Sequence, residues 1–333
     1  MIAPGAGPSG EDALIARYFK PLATDPGAFG LLDDAAILKP SRDDLVLKTD
    51  AIVEGVHFLP DDPPDTVARK ALRRNLSDLA AKGAMPAGFL LTLALRSVDE
   101  AWLTPFARGL GEDAGQYGCP LFGGETVSTP GPIMVSISAF GHVPSGRMVR
   151  RSGAGPGDRV VVSGTIGDAA LGLDIIRGGA AASVLADDAS AREMLVGRYR
   201  VPQPRNLLAK AVLDHASAAM DVSDGLAGDL AKLCAASAVS AAIDVASIPL
   251  SASAALVLAH RALGIEALVS GGDDYEILCT IPEGRFDAFA EAAGLAGVAV
   301  SSIGTVISGA SGPKFLDAHG RDLRLAHRSY SHF

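Results

Sequence analysis

The sequence predicts an α/β or α+β protein of two domains, on three observations. Strand-like and helix-like patterns are mixed in both halves of the chain. Gly153-Ala154-Gly155-Pro156-Gly157-Asp158 is the strongest punctuation in the sequence and places a boundary near residue 146. The 333 residues, 48% hydrophobic and 20% charged, suit a soluble globular chain with enough apolar material for two cores. The expected layout is a disordered tail over 1–8, an N-terminal domain over 9–146 and a C-terminal domain over 147–333.

The elements follow in order. Ser9 reads as an N-cap with Glu11 and Asp12 in the first turn, and Leu14, Ile15, Tyr18, Phe19 and Leu22 share one helical face. A short strand over 45–48 delivers Thr49 and Asp50 at its end. A helix over 66–82 stops at Gly83, with Pro86 beyond it, and puts Asn75 and Asp78 on one face. A strand over 89–95, a helix over 100–117 and a strand over 133–140 complete the first half. The second half reads as a strand (159–163), a glycine-rich turn, a helix (168–176) and a loop (177–188). Helices follow near 189–199 and 205–215, then a strand over 218–222 leading into a helix over 225–236. A strand (241–245), helix (251–263), strand (275–281), helix (283–293) and strand (298–307) end the chain.

The formal net charge is −9, which argues against nucleic-acid and anionic-membrane partners, since both reward a basic surface. No apolar stretch approaches the roughly 20 residues needed to span a bilayer, and the first ten residues lack a signal-peptide pattern. The cytoplasm is the expected location. Cys119, Cys234 and Cys279 are widely spaced and read as reduced core residues.

Chemistry is concentrated in six acidic motifs set in apolar or glycine-rich stretches. They are Asp33-Asp34, Thr49-Asp50, Asn75 to Leu79, Gly123-Gly124-Glu125-Thr126, Asp221-Val222-Ser223-Asp224-Gly225 and Gly271-Gly272-Asp273-Asp274-Tyr275-Glu276. Carboxylates beside apolar runs need a cationic partner to be desolvated. Hard oxygen donors from separate segments, without a Cys or His cluster, suggest magnesium and hence phosphate chemistry. Each motif alone also has an ordinary reading. Asp33-Asp34 can be a turn, Asp78 can pair with Arg73, Arg74 or Lys82, and Ser223 and Asp224 can cap a helix. The glycine pairs before Glu125 and Asp273 can be plain turns. Gly164 to Asp168 either holds phosphate or turns the chain, and Arg150-Arg151 is either a phosphate clamp or a solvated pair. No P-loop, GxGxxG, HExxH or GxSxG motif is present.

Taken in order, these segments resemble the thiamine-monophosphate kinases, a family in the superfamily that includes aminoimidazole ribonucleotide synthetase. Glu54-Gly55-Val56-His57-Phe58, following Thr49-Asp50, is the most specific stretch. The resemblance implies a two-domain architecture of mixed sheets flanked by helices, with dimerisation through the first domain and ATP held across the two. It implies ATP-dependent phosphorylation of thiamine monophosphate to thiamine diphosphate, with several Mg2+ ions, in a homodimer. By matching position, Asp34, Thr49, Asp50, Asp78, Glu125, Asp221 and Asp224 would be metal ligands or lie in that shell, with Lys48 able to contribute only its backbone oxygen. Gly124, Glu125, Arg151 and Ser223 would contact ATP, and His57, Asp273 and Tyr330 the thiamine substrate. No acid or base residue is implied.

Two positions depart from the family pattern. Glu125 stands where the family commonly has Asp after the glycine pair, which moves the carboxylate by about 1 Å, a distance that matters to chemistry. Leu32 precedes the double Asp where Gly is usual. The rival readings are another ATP-dependent synthetase of the superfamily acting on a different acceptor, and a magnesium-dependent phosphohydrolase.

Overall fold

In a computed structural model, residues 13–323 and 325 are described. The chain separates into two compact units, one made of residues 1–76 and 86–145 and the other of residues 77–85 and 146–333.

The first unit is built on a four-stranded sheet in the order β1-β4-β2-β3. Its elements are β1 (Asp44–Val53), α1 (Pro64–Ala81, its last turns counted with the second unit), β2 (Met85–Leu95), α2 (Glu100–Gln116), β3 (Leu121–Ser128) and β4 (Met134–Val143). β1 runs antiparallel to β4 along its whole length, and β2 runs parallel to β3 with a register shift after Phe89. Val67, Leu72, Leu76, Leu103, Phe106 and Leu110 are fully buried at helical spacing, which gives α1 and α2 their core faces. Leu45 and Leu47 alternate outward on β1 and stay exposed, while Val46 and Ile52 are buried.

The second unit holds a six-stranded sheet in the order β10-β7-β9-β5-β8-β6. Its elements are β5 (Arg159–Ser163), α3 (Asp168–Ile176), α4 (Ala180–Val184), α5 (Ala189–Arg200), α6 (Ala209–His215), β6 (Ala218–Asp221), α7 (Leu226–Ser237), β7 (Ser240–Asp244), α8 (Ala252–Ala259), α9 (Ile265–Val269), β8 (Ile277–Ile281), α10 (Phe286–Leu295), β9 (Val300–Ile307) and β10 (Lys314–Leu316). The pairings are antiparallel except β10 with β7. The sheet separates two apolar clusters. One is built around Val160, Met220, Leu230 and Ile303, the other around Val161, Val212, Cys279 and Phe289. The alternation Val160/Val161 across them is the period-two signature of a strand buried on both faces. Both sheets are mixed and flanked by helices, the fold class expected from sequence.

Several elements differ from the sequence reading. β1 continues to Val53, so Thr49 and Asp50 lie inside a strand and not at its end. Gly83 ends the turn after α1 with φ +71°, and Pro86 lies beyond it as the second residue of β2, which starts at Met85 and not at Phe89. The glycine pair before Glu125, for which a plain turn is one reading, lies inside β3. The pair instead lets two backbones close up, since a Cβ on Gly124 would lie 1.8 Å from the Leu91 carbonyl oxygen. The 177–188 loop contains α4, and α9 and β10 were not anticipated. The stretch 13–22 is helical but irregular, with a π turn over Ile15–Phe19 and a 3₁₀ turn over Lys20–Leu22. The expectations for residues 1–8, Ser9, Glu11 and Asp12 lie outside the described residues.

Candidate functional site

In the first unit, two motifs far apart in sequence line one cavity of about 580 Å³. Asp33 and Asp34 come from the segment before β1, and Gly123 to Thr126 from β3. Leu90, Thr92 and Ser138 line it as well. Ser138 on β4 donates a hydrogen bond to Thr49 Oγ1 at 3.0 Å, which ties the third motif to the same wall. Asp34, Glu125 and Thr49 are exposed.

Lys48 and Asp50 point to the other face of β1 from Thr49, because successive strand residues alternate. There Asp50 meets Lys48 Nζ at 3.2 Å and Arg74 Nε at 3.9 Å. The Lys48-Thr49-Asp50 run is thus divided between two faces.

Beyond β1 the chain turns at Gly55 and returns at Phe58. The Val53 N–H donates to His57 Nδ1 at 3.1 Å, which leaves the neutral ring's proton on Nε2. Glu54 is held by Arg96 Nη1 and Nη2 (2.5 and 2.9 Å) and by the Ile133 N–H at 3.0 Å. The Arg96 hydrogen bond holds its carboxyl below the usual carboxylate range.

In the second unit, four motif segments meet where β5, β6 and β8 lie side by side. Asp221 at the end of β6 pairs with Ile277 at the start of β8. Beyond that pair the backbones stay bonded: Val222 N–H to Glu276 O, Tyr275 N–H to Val222 O and Asp273 N–H to Ser223 O, each at 2.8 Å. Ser77, the neighbour of half-buried Asp78, donates from Oγ to the Tyr275 carbonyl at 3.5 Å. The Gly164–Asp168 turn is attached through Asp274. That carboxylate accepts the Gly167 N–H (2.9 and 3.0 Å) and the Ala169 N–H at 3.4 Å, and so caps α3 from a distant segment. Complete burial pushes the Asp274 carboxyl well above its ordinary value, against the pull of the Gly167 N–H.

Glu276 is wholly buried and neutralised by two arginines. Arg205 grips it through Nε at 2.6 Å and through Nη2, Arg198 Nη2 donates at 2.7 Å, and Ser163 Oγ donates at 2.6 Å. Gly164, at φ +56°, is required beside this cluster, because a Cβ there would lie 2.2 Å from Glu276 Oε1.

Ser223 and Asp224 do not cap α7 with their side chains. Asp229 in its first turn reaches back instead, and its Oδ2 accepts both of their backbone N–H groups at 2.9 Å. Lys232 Nζ bridges Asp224 Oδ2 (2.5 Å) and Asp229 Oδ1 (2.8 Å). Arg151 is exposed, and its carbonyl accepts from Ser237 Oγ at 3.0 Å. Tyr330 lies outside the described residues. Around Asp78, Arg73 pairs with Asp113, Arg74 lies 3.9 Å from Asp50, and Lys82 Nζ donates to the Ala219 carbonyl at 2.6 Å.

Sequence reasoning did not single out Arg198, Arg205, Ser163, Asp229 or Lys232, and gave Tyr275 no role within its motif. Only Asp229 carried a local signal, an acid in the first turn after Ser-Asp-Gly. The arginines are joined to Glu276 solely by the fold.

Among the described residues, no three of His, Cys, Asp and Glu gather into a metal-binding group. The donor chemistry fits magnesium all the same. The expected ligands are carboxylate and hydroxyl oxygens, and Asp50 and Asp224 each already hold a cationic side chain in place of a solvated charge.

The two units, each carrying acidic motifs, correspond to two known domain families. The family model for AIR synthase related protein, N-terminal domain, matches residues 32–143, and that for AIR synthase related protein, C-terminal domain, matches residues 155–313. A thiamine-monophosphate kinase of Caulobacter vibrioides is 45% identical over 337 residues, covering 99% of this chain and 93% of that one. The crystal structure of the thiamine-monophosphate kinase from Stenotrophomonas maltophilia K279a superposes with a TM-score of 0.81 at 35% identity, covering 94% of this chain and 96% of that one. A structure of AaThiL complexed with AMPPCP and TMP gives a TM-score of 0.76 at 29% identity over 92% of this chain and 97% of that one. The chain belongs to the thiamine-monophosphate kinase family of enzymes.

Proposed function

We propose that this chain transfers the γ-phosphoryl group of ATP to thiamine monophosphate, yielding thiamine diphosphate and ADP by direct in-line displacement. The observation that carries this reading is the near end-to-end 45% identity to a thiamine-monophosphate kinase. All six acidic motifs fall inside the two family-matched segments.

Asp34, Thr49, Asp78, Glu125, Asp221 and Asp224 would hold magnesium, with Asp50, and with Lys48 through its carbonyl oxygen. Magnesium supplies charge neutralisation on the phosphate oxygens when bound. For Asp50 and Asp224, binding means exchanging Lys48 and Lys232 for the metal.

Gly124, Glu125, Ser223 and Arg151 contact the nucleotide in this reading. The Arg151 guanidinium offers a planar fork of donors suited to phosphate. His57 presents Nε2–H to the acceptor, and the Asp273 carboxylate complements the positive charge of the thiazolium ring, with Tyr330 completing that contact. The attacking oxygen belongs to a phosphate already anionic near neutral pH, so no residue needs to act as a strong general base. No covalent phospho-enzyme is required.

The same reading includes a homodimer formed through the first unit's sheet, and a cytoplasmic location. Among the described residues, no helix is long and apolar enough to cross a membrane.

The test is incubation with Mg-ATP and thiamine monophosphate, followed by chromatography of the products. Equal, acceptor-dependent formation of thiamine diphosphate and ADP is expected. ADP and free phosphate without thiamine diphosphate would overturn the reading in favour of a hydrolase or a synthetase with another acceptor.

A further inference from the structure

Asp273 and Tyr275 share an unusual backbone state, with φ values of +71° and +51°. Side chains with a Cβ rarely occupy this left-handed region, and two such residues flanking a third persist only where the surroundings over-determine them. Here the restraint is visible on both sides. The N–H groups of Asp273 and Tyr275 are bonded to Ser223 and Val222, each at 2.8 Å. The intervening Asp274 is fixed to Gly167 and Ala169, and Glu276 is clamped between Arg198 and Arg205. The result places the Tyr275 hydroxyl 3.0 Å from Asp273 Oδ1, as donor. The Tyr275 side chain is buried, only 1% exposed, whereas Asp273 is half-buried.

We infer that Tyr275 is a positioning residue for the thiamine phosphate step: its buried hydroxyl fixes the orientation of the Asp273 carboxylate that meets the acceptor. This rests on the proposed role of Asp273 in binding thiamine monophosphate. A carboxylate on a loop can rotate about χ1 and χ2, and ordering it on binding costs affinity. A hydroxyl donor on a rigid, buried ring removes that freedom beforehand, and a hydrogen bond to a charged group is among the stronger ones. The strained backbone is what brings two residues only two apart into this pairing.

Tyr275→Phe removes the hydroxyl and keeps the packed ring. It should raise the KM for thiamine monophosphate about tenfold, leave the KM for ATP and kcat within about twofold, and retain a cooperative thermal transition. Asp273→Asn is measured beside it, together with the double variant. If the two act through one contact, the double variant is no worse than Asp273→Asn alone. An unchanged thiamine monophosphate KM in Tyr275→Phe, with a raised one in Asp273→Asn, would overturn the inference and leave the role of Asp273 standing. No effect of Asp273→Asn would remove that role and the inference with it. Equal changes in both KM values, or loss of the thermal transition in Tyr275→Phe, would make Tyr275 a structural residue and also overturn it.

Discussion

Asp274 takes a carboxylate into complete burial and gives it backbone N–H donors in place of water. Its neighbours meet other fates: Asp273 is half-buried against a tyrosine hydroxyl, and Glu276 lies between two guanidinium groups. Three acids within four residues thus have three distinct environments, and only the fold separates them. The burial of Asp274 has a consequence for pH. Desolvation raises its folded-state value well above 3.8, so between those values the folded chain holds a proton that the unfolded chain has released. Stability from this group is therefore greatest at low pH and declines as pH rises toward the folded value. Asp274→Asn removes the decline. In urea unfolding from pH 4 to 7, the stability of the variant relative to wild type should improve with pH, by at most about 1.4 kcal/mol per unit. Parallel curves would show that the N–H donors compensate the burial fully. The cysteines belong at this scale too. Burial pushes Cys119 and Cys279 up to about 12 and Cys234 to about 11, so all three stay as inert thiols in the folded chain.

Between elements, the crossing of α1 and α2 is fixed by one buried ion cluster. Asp113 on α2 accepts from Arg73 at 2.6 and 2.9 Å and from Arg69 at 2.6 Å, and its own side chain is fully buried. Close by, Gly109 lets the helices approach, since a Cβ there would lie 2.7 Å from the Asp65 carbonyl oxygen. Asp113→Ala removes the carboxylate from the buried Arg73 charge and should cost about 3–5 kcal/mol in denaturant unfolding. A loss under about 1 kcal/mol would mean that water reaches Arg73 once the acid is gone. Elements with one clear period were legible from sequence, and β5 and α3 were read to their ends. Those that failed did so for physical reasons. β3 carries a glycine pair that resembles a turn but serves close strand pairing. β1 was cut short because Lys48, Thr49 and Asp50 interrupt its apolar pattern, although strand alternation continues through them. α4 and α9 are single short turns whose formation depends on tertiary packing more than on propensity. The candidate site was legible as a set of motifs but not as an arrangement. Sequence gave no sign that Asp33-Asp34 and Gly123 to Thr126 share one cavity, or that Arg198 and Arg205 converge on Glu276.

For the whole molecule, assembly turns on the first unit's sheet. Leu45, Leu47 and Leu90 are 42%, 72% and 44% exposed, and the first two alternate outward on β1 with Thr49. An apolar sheet face of this kind is a partner surface more often than a solvent face. A second copy would cover it isologously, placing each leucine near its own equivalent or that of a neighbouring strand. The alternation of β1 did not reveal this, because Leu45 and Leu47 on one face and Val46 and Ile52 on the other make both faces look like core. Leu47→Glu introduces a carboxylate into that face, and in a symmetric pair it introduces two in a chain already at −9. Sedimentation velocity should give wild type at twice the chain mass and the variant at the chain mass, with thermal unfolding of the variant still cooperative. Since Leu47 is largely exposed in the single chain, the substitution does little to the fold of one copy, so a change in mass reports assembly and not unfolding. A wild-type protein that sediments as a single chain at micromolar concentration would remove the dimer from the proposed function and leave the phosphoryl transfer untouched.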